Sequence, residues 1–162
     1  VQTCALPISD GQGNEEWRKN FGDGRGTSVQ QTVDGGFVVT GTGPDDYDLF
    51  LLKTDGQGNE EWRKTFEVRE GYQSSVHQTV DGGFIVTGHA GYRDDVVGNG
   101  GVLLLKTDGQ GNEEWRKTLE GWKGYESSVQ QTVDGGFIVT GSGVVDDEYV
   151  GVLLKTDGQG NI

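Results

Sequence analysis

Hydrophobic and polar positions along this chain follow two patterns in turn. "SSVHQT" at Ser74–Thr79 alternates polar and apolar residues, then "DGG" breaks the run and "FIVTG" resumes it. Alternation marks a strand with one covered face, and Asp-Gly between two such runs marks a hairpin because glycine accepts positive φ. "VLLLKT" at Val102–Thr107 is a continuous apolar run, as expected of a strand covered on both faces. "EEWRKTF" alternates again, with Trp62, Lys64 and Phe66 on one face and Glu61, Arg63 and Thr65 on the other. "DGQGN" supplies a second glycine-rich turn before it. No stretch sustains a period of 3.6, so the pattern predicts four short strands per unit and essentially no helix.

The units recur. "DGQGN" starts at positions 10, 55, 108 and 157, a period averaging about 49 residues. The hairpin block recurs in step, as "TSVQQTVDGGFVVTG" from Thr27, "SSVHQTVDGGFIVTG" from Ser74 and "SSVQQTVDGGFIVTG" from Ser127. Four antiparallel strands in a repeat of this length are the mark of a β-propeller blade. The expected fold is therefore all-β: a β-propeller fragment of four-stranded antiparallel blades, about three blade equivalents. Repeat units fall at about 10–54, 55–107 and 108–156, with a truncated fourth from 157. Counting strands gives a lone outer strand at Glu15–Phe21, complete blades at Thr27–Phe66 and Ser74–Leu119, and a closing set of three strands. Rings close with typically 4–8 blades, so the expectation is an open arc. Its uncovered edges and faces would favour head-to-tail self-association of two copies.

"VQTCALPIS" matches none of the repeats. Val1–Ile8 resembles the in-frame translation of a sequencing adapter, and residues 1–9 are set aside as a non-native leader, the rest reading as a fragment. The one cysteine, Cys4, lies in that piece, so cysteine usage carries no redox information.

Charge narrows the functional classes. Thirteen Lys and Arg stand against 26 Asp and Glu, a formal net charge of −13. Such a surface is repelled by phosphate backbones and anionic lipid, which argues against nucleic-acid partners. The longest strongly apolar run is four residues, Val102–Leu105, far short of a membrane-spanning helix.

The string "LLLKTDGQGNEEWRKTLEG…SSVQQTVDGGFIVTGSG" resembles the repeat of secreted and cell-surface bacterial and archaeal β-propeller proteins. Those repeats run as an apolar strand ending in Lys-x-Asp, a Gly/Asn turn, a Trp-x-Lys strand and a Gln-Thr-x-Asp-Gly-Gly-aromatic hairpin. The likeness extends over nearly all of Asp10–Ile162. It implies an extracellular or cell-surface location. Less closely, the Trp hairpin is similar to the docking motif of quinoprotein-like propeller enzymes, although "TDGQGN" departs from their turn and none of their quinone-binding residues can be placed here.

Candidate chemistry is thin. "DGQGN" lacks both the sixth-position Gly and the twelfth-position Glu of a calcium loop, holding Glu60 and Phe66 there, and reads as a plain turn. Trp17, Trp62 and Trp115 recur in register and read as structural residues packed between blades. An acidic pair precedes each apolar strand: Asp45 and Asp46, Asp94 and Asp95, Asp146 and Asp147. Such carboxylates suit a hard cation, with Ca²⁺ the candidate cofactor, or simply solvate the loops. His77 swaps with Gln30 and Gln130 in the other copies, which points to a polar strand position. No nucleophile elbow, metalloprotease motif or phosphate loop is present, so no catalytic residue is assigned and no enzymatic activity is expected.

The copies differ at two sets of connections, both on the edge opposite the "DGG" and "DGQGN" turns. One set reads "GDGRG", "EVREGYQ" and "EGWKGYE"; the other reads "TGPDDYD", "HAGYRDDVVGNG" and "SGVVDDEYV". They carry Tyr47, Tyr72, Tyr92, Trp122, Tyr125 and Tyr149, the candidate ligand-binding residues. Loops on a rigid scaffold commonly bind, and unconstrained loops also drift. The expected function is a non-catalytic propeller module that binds a glycan or protein through this face. The alternatives are a structural spacer repeat or a piece of a quinoprotein-like enzyme.

Overall fold

The computed structural model describes residues 3–9, 11–44, 48–68, 74–90, 101–120, 127–145 and 148–162. Among them there is no helix, and thirteen strands form four antiparallel sheets. The first sheet holds β1 (Thr3–Ser9) and β2 (Glu15–Asp23). The second runs in the order β3 (Arg25–Gln31), β4 (Phe37–Thr42), β5 (Asp48–Thr54) and β6 (Glu60–Glu67). The third repeats it with β7 (Ser75–Gln78), β8 (Phe84–Ala90), β9 (Gly101–Thr107) and β10 (Glu113–Glu120). The fourth has β11 (Ser128–Gln131), β12 (Phe137–Val145) and β13 (Glu148–Thr156). None of the sheets closes into a barrel.

Successive sheets pack face to face in chain order. Val38, Leu49, Leu51 and Phe66 of the second sheet meet Val76, Phe84, Val86, Leu103 and Leu105 of the third. The opposite face of the third sheet, through Ile85, Val102, Leu104 and Leu119, meets Val129, Phe137 and Val139 of the fourth. Neighbouring residues of one strand thus serve different interfaces, which is why β9 is buried at every position. The same run in β13 is exposed at alternate positions, because only one of its faces is covered.

Each outer strand carries a one-residue bulge at a glutamate. Thr54 pairs with Glu60 and Lys53 with Trp62, so Glu61 has no register partner; Glu114 and Glu16 sit in the same place. A bulge re-aims its side chain, and here the carboxylate of Glu61 reaches the ammonium group of Lys53 at 2.8 Å. The Asp34 carboxylate, from the "DGG" turn, meets the same group at 2.9 Å. Lys106 repeats this with Glu114 at 2.8 Å and Asp81 at 3.0 Å. A lysine in the core face is tolerable because two carboxylates and a backbone carbonyl accept its protons.

Three sequence expectations are corrected. The outer strand at Glu15–Phe21 is not alone: Thr3–Ser9 pairs with β2, Ile8 opposite Trp17 and Ser9 opposite Glu15, the places taken by Lys53 and Thr54 in the next sheet. "ALPISDGQGN" therefore aligns with "FLLKTDGQGN". "GDGRG" is not a loop, since β2 runs to Asp23 and β3 starts at Arg25, with only Gly24 between. "SGVVDDEYV" is mostly strand as well, which places Tyr149 inside β13. In both cases the ladders extend further than local composition suggests, to Asp23 and Arg25 in the first and to Val145 and Glu148 in the second, because neighbouring strands still offer partners there.

Candidate functional site

The edge formed by the constant turns shows what the repeated decapeptide does. Asp55 folds its own turn: one carboxylate oxygen accepts the backbone N–H groups of Gln57 and Asn59, and the other accepts the Asn59 side-chain amide. These bonds favour the ionised acid and hold its pKa below the usual value, the Asn59 side-chain bond contributing most. Asp108 and Asp157 repeat the arrangement.

The rest of the motif works between copies. Trp17 of the first sheet lies edge-on to Phe37 of the second, with ring centroids 5.9 Å apart. Trp62 meets Phe84, and Trp115 meets Phe137, each at 5.8 Å. The same indoles cover a glycine of the next turn. A Cβ placed on Gly58, Gly111 or Gly160 would come within 2.6, 2.6 and 2.8 Å of Trp17, Trp62 and Trp115 respectively. These glycines also have φ of +74°, +76° and +75°, so both space and backbone demand glycine. Lys19 then donates to the side-chain oxygen of Asn59 at 3.1 Å, and Lys64 to that of Asn112 at 3.0 Å. The arginine between Trp and Lys reaches backwards: Arg63 donates to the Phe21 carbonyl at 2.6 Å and Arg116 to the Glu67 carbonyl at 3.1 Å. The two halves of the motif, "GN" and "WRK", thus meet across successive repeats.

Trp17, Trp62 and Trp115 are half-buried, not enclosed. Each sits on the outermost strand of its sheet, so the next repeat covers one side of the ring while the other stays open.

The first strands of the three larger sheets, β3, β7 and β11, carry a second line of contacts. The backbone N–H of Gln78 donates to the Gln30 side-chain oxygen at 2.6 Å, which fixes that amide's orientation. The Gln30 nitrogen then donates to Nδ1 of His77 at 3.2 Å. His77 is therefore an acceptor at Nδ1, and burial pushes its pKa below 6.5. Below it, the Ser74 hydroxyl bonds Thr27 at 2.6 Å and Thr40 at 3.2 Å. Sequence reasoning did not assign contacts to Gln30, Ser74, Asn59 or Lys53. The signal available was their recurrence at matched positions, which marks a contact without identifying its partner.

Of the candidate ligand-binding residues, Tyr149 is the one described: it lies on β13, pairs with Val144 of β12 and is 72 % exposed. Tyr47, Tyr72, Tyr92, Trp122 and Tyr125 lie outside the described residues, as do Asp45, Asp46, Asp94, Asp95, Asp146 and Asp147. Among the described residues no three His, Cys, Asp or Glu side chains gather in a way that could hold a metal ion. No helix of the described residues is long and apolar enough to cross a membrane. No protein-family model matches the chain, and neither does any curated protein sequence.

Proposed function

We propose that the chain is a non-catalytic repeat module of a secreted or cell-surface protein, in which each sheet is one blade of a β-propeller. It binds a glycan or a protein through the edge opposite the constant turns. One observation supports this most: on the constant edge nearly every residue of the repeated motif is used by a contact to its own turn or to the neighbouring sheet. That edge serves assembly. Variation between copies is concentrated on the other edge, where Tyr149 offers an exposed aromatic face of the kind that stacks on sugars and anchors protein contacts. β7 lies against both β3 and β11, so these first strands of successive sheets suit the innermost strands of blades around a common axis.

Glycan and protein arrays probed with the whole chain test the reading. A specific ligand whose binding falls on Tyr149→Ala supports it. No ligand on either array, or a footprint on the "DGG" or "DGQGN" turns, overturns it in favour of a spacer repeat.

A further inference from the structure

Two of the contacts between sheets bring together groups that can react with each other. Lys64, on β6, donates from its ammonium group to the side-chain oxygen of Asn112, in the turn before β10, at 3.0 Å. Lys19, on β2, donates to that of Asn59 at 3.1 Å. The partners are 48 and 40 positions apart, so the packed sheets hold them together and the local chain does not. An amine beside a carboxamide is a nucleophile beside an acyl carbon, and a geometry held by the fold replaces a chance encounter in solution.

Each carboxamide is also held from its other end. The Asp108 carboxylate accepts the Asn112 side-chain N–H at 2.9 Å, and Asp55 accepts that of Asn59 at 2.8 Å. This bond orients the amide, with its oxygen towards the lysine and its nitrogen on the acid. The acids are themselves anchored by backbone N–H groups of their own turns, Gln110 and Asn112 for Asp108, Gln57 and Asn59 for Asp55. Asn112 does most to hold the Asp108 carboxyl below its usual value, and the charge of Lys64 adds to it. Lysine, amide and acid thus share one small space. The lysine stem is placed by the same turn: Cγ of Lys64 lies 2.9 Å from where a Cβ on Gly111 would stand, and Cγ of Lys19 3.0 Å from that on Gly58. Both lysines are half-buried, beside the indoles that cover those glycines.

The geometry points to a modification site: Lys64 and Asn112 form an intramolecular isopeptide bond, as do Lys19 and Asn59, tying each sheet covalently to the next. The lysine nitrogen, as the free amine, adds to Cγ of the asparagine; the bond from Cγ to Nδ2 breaks and ammonia leaves. Asp108, or Asp55 in the other pair, takes the proton that the attacking nitrogen gives up. It passes that proton to Nδ2, to which it is already hydrogen-bonded. One amide is exchanged for another, so no oxidant or further reactant is consumed. The inference does not rest on the ligand-binding reading, since it concerns the constant edge and leaves the other edge unchanged.

Mass spectrometry of the whole folded chain, before and after incubation in a mildly alkaline buffer that favours the free amine, tests this. Each crosslink should remove one ammonia, about 17 Da. Trypsin should then release the peptide that holds Lys64 joined to the one that holds Asn112, and likewise for Lys19 and Asn59. Lys64→Arg keeps the positive charge and the hydrogen-bond donor without the reactive amine. It should lack the first joined peptide and retain the second. A chain kept unfolded in denaturant should form neither. A wild-type chain without joined peptides overturns the inference whatever its mass, because an asparagine closing onto its own backbone also expels ammonia. Joined peptides that form equally in the unfolded chain overturn it as well. The joined peptides are read on the wild-type chain, so the test stands even where a variant melts early.

Discussion

Gly13 and Gly111 occupy the same place in the same pentapeptide, with φ of +87° and +76°. A Cβ on Gly13 would meet nothing within 4 Å, while a Cβ on Gly111 would lie 2.6 Å from the Trp62 ring. Local sequence and backbone are shared; the difference is that Gly111 follows a Trp-Arg-Lys strand in the repeat before it. The motif is therefore not one unit repeated for its own sake. It is a plug and a socket written next to each other, so that each copy seats the plug of its predecessor and offers its own plug to the next. A solenoid or propeller needs this from its sequence, because each sheet is stable only when its neighbour covers it.

Removing the plug should have the largest effect. Trp62→Ala deletes the contacts to both Phe84 and Gly111, and a half-buried aromatic of this size should cost about 2–4 kcal/mol in a denaturant titration. A loss no larger than that of a surface substitution would show that the indole is not an inter-sheet contact.

Filling the socket comes next. Gly111→Ala meets both a steric clash and an unfavourable φ and should cost about 2–3 kcal/mol, whereas Gly13→Ala meets the φ term alone, about 1–2 kcal/mol. Equal losses at the two sites would remove the distinction between them.

Acid should weaken the straps behind the turns. Hydrogen bonds from Thr32 and Lys53 lower Asp34 from 3.8 to about 2. For Asp81, burial acts in the opposite direction but is outweighed by the Thr79, Gly83 and Lys106 bonds, again giving about 2. Depressed carboxylates stabilise the folded chain above their unfolded pKa, and that stability is lost as pH falls from about 4 towards 2. Both carboxylates are more than half exposed, so the effect is screened and modest. Thermal melts of Asp81→Asn should show a shallower decline over that window than the wild-type chain; parallel curves would exclude the strap.

The smallest effect is at His77. The unfolded chain takes up a proton first as pH drops below 6.5, so stability declines from there until the folded histidine also titrates. His77→Gln, the residue found at positions 30 and 130, should change stability by less than about 0.5 kcal/mol at neutral pH. It should also flatten the curve between pH 5 and 7, and an unchanged curve would mean that Nδ1 does not need its lone pair.

How much of this the sequence carries depends on the range of each interaction. Strand type and order follow from period-2 alternation and Asp-Gly turns, which act over neighbouring residues, so "SVHQ", "FIVTG", "VLLLKT" and "EEWRKTF" are readable directly. The extra residue at Glu61 is not, because alternation puts it simply opposite Trp62 while the bulge turns it towards Lys53. The partner of each tryptophan is hidden for a similar reason: Trp62 and Gly111 are 49 positions apart, and periodicity says that they recur without saying that they touch. β1 was unreadable because Ala5, Pro7 and Ile8 share little composition with the strand they replace; only the turn that follows sets their register. On the variable edge, the tyrosine and acidic positions could be named because the copies differ there, but a difference between copies carries no information on what is bound.

The central claim is that the plug of one repeat seats in the socket of the next, and a double-mutant cycle between Trp62→Ala and Gly111→Ala tests it most directly. The larger steric part of the Gly111→Ala cost comes from the indole, with the Lys64 Cγ at 2.9 Å adding a contact that gives more easily. In the Trp62→Ala background that cost should fall towards the value measured for Gly13→Ala, giving a coupling of about 1 kcal/mol between residues 49 positions apart. Strict additivity of the two substitutions would contradict the account.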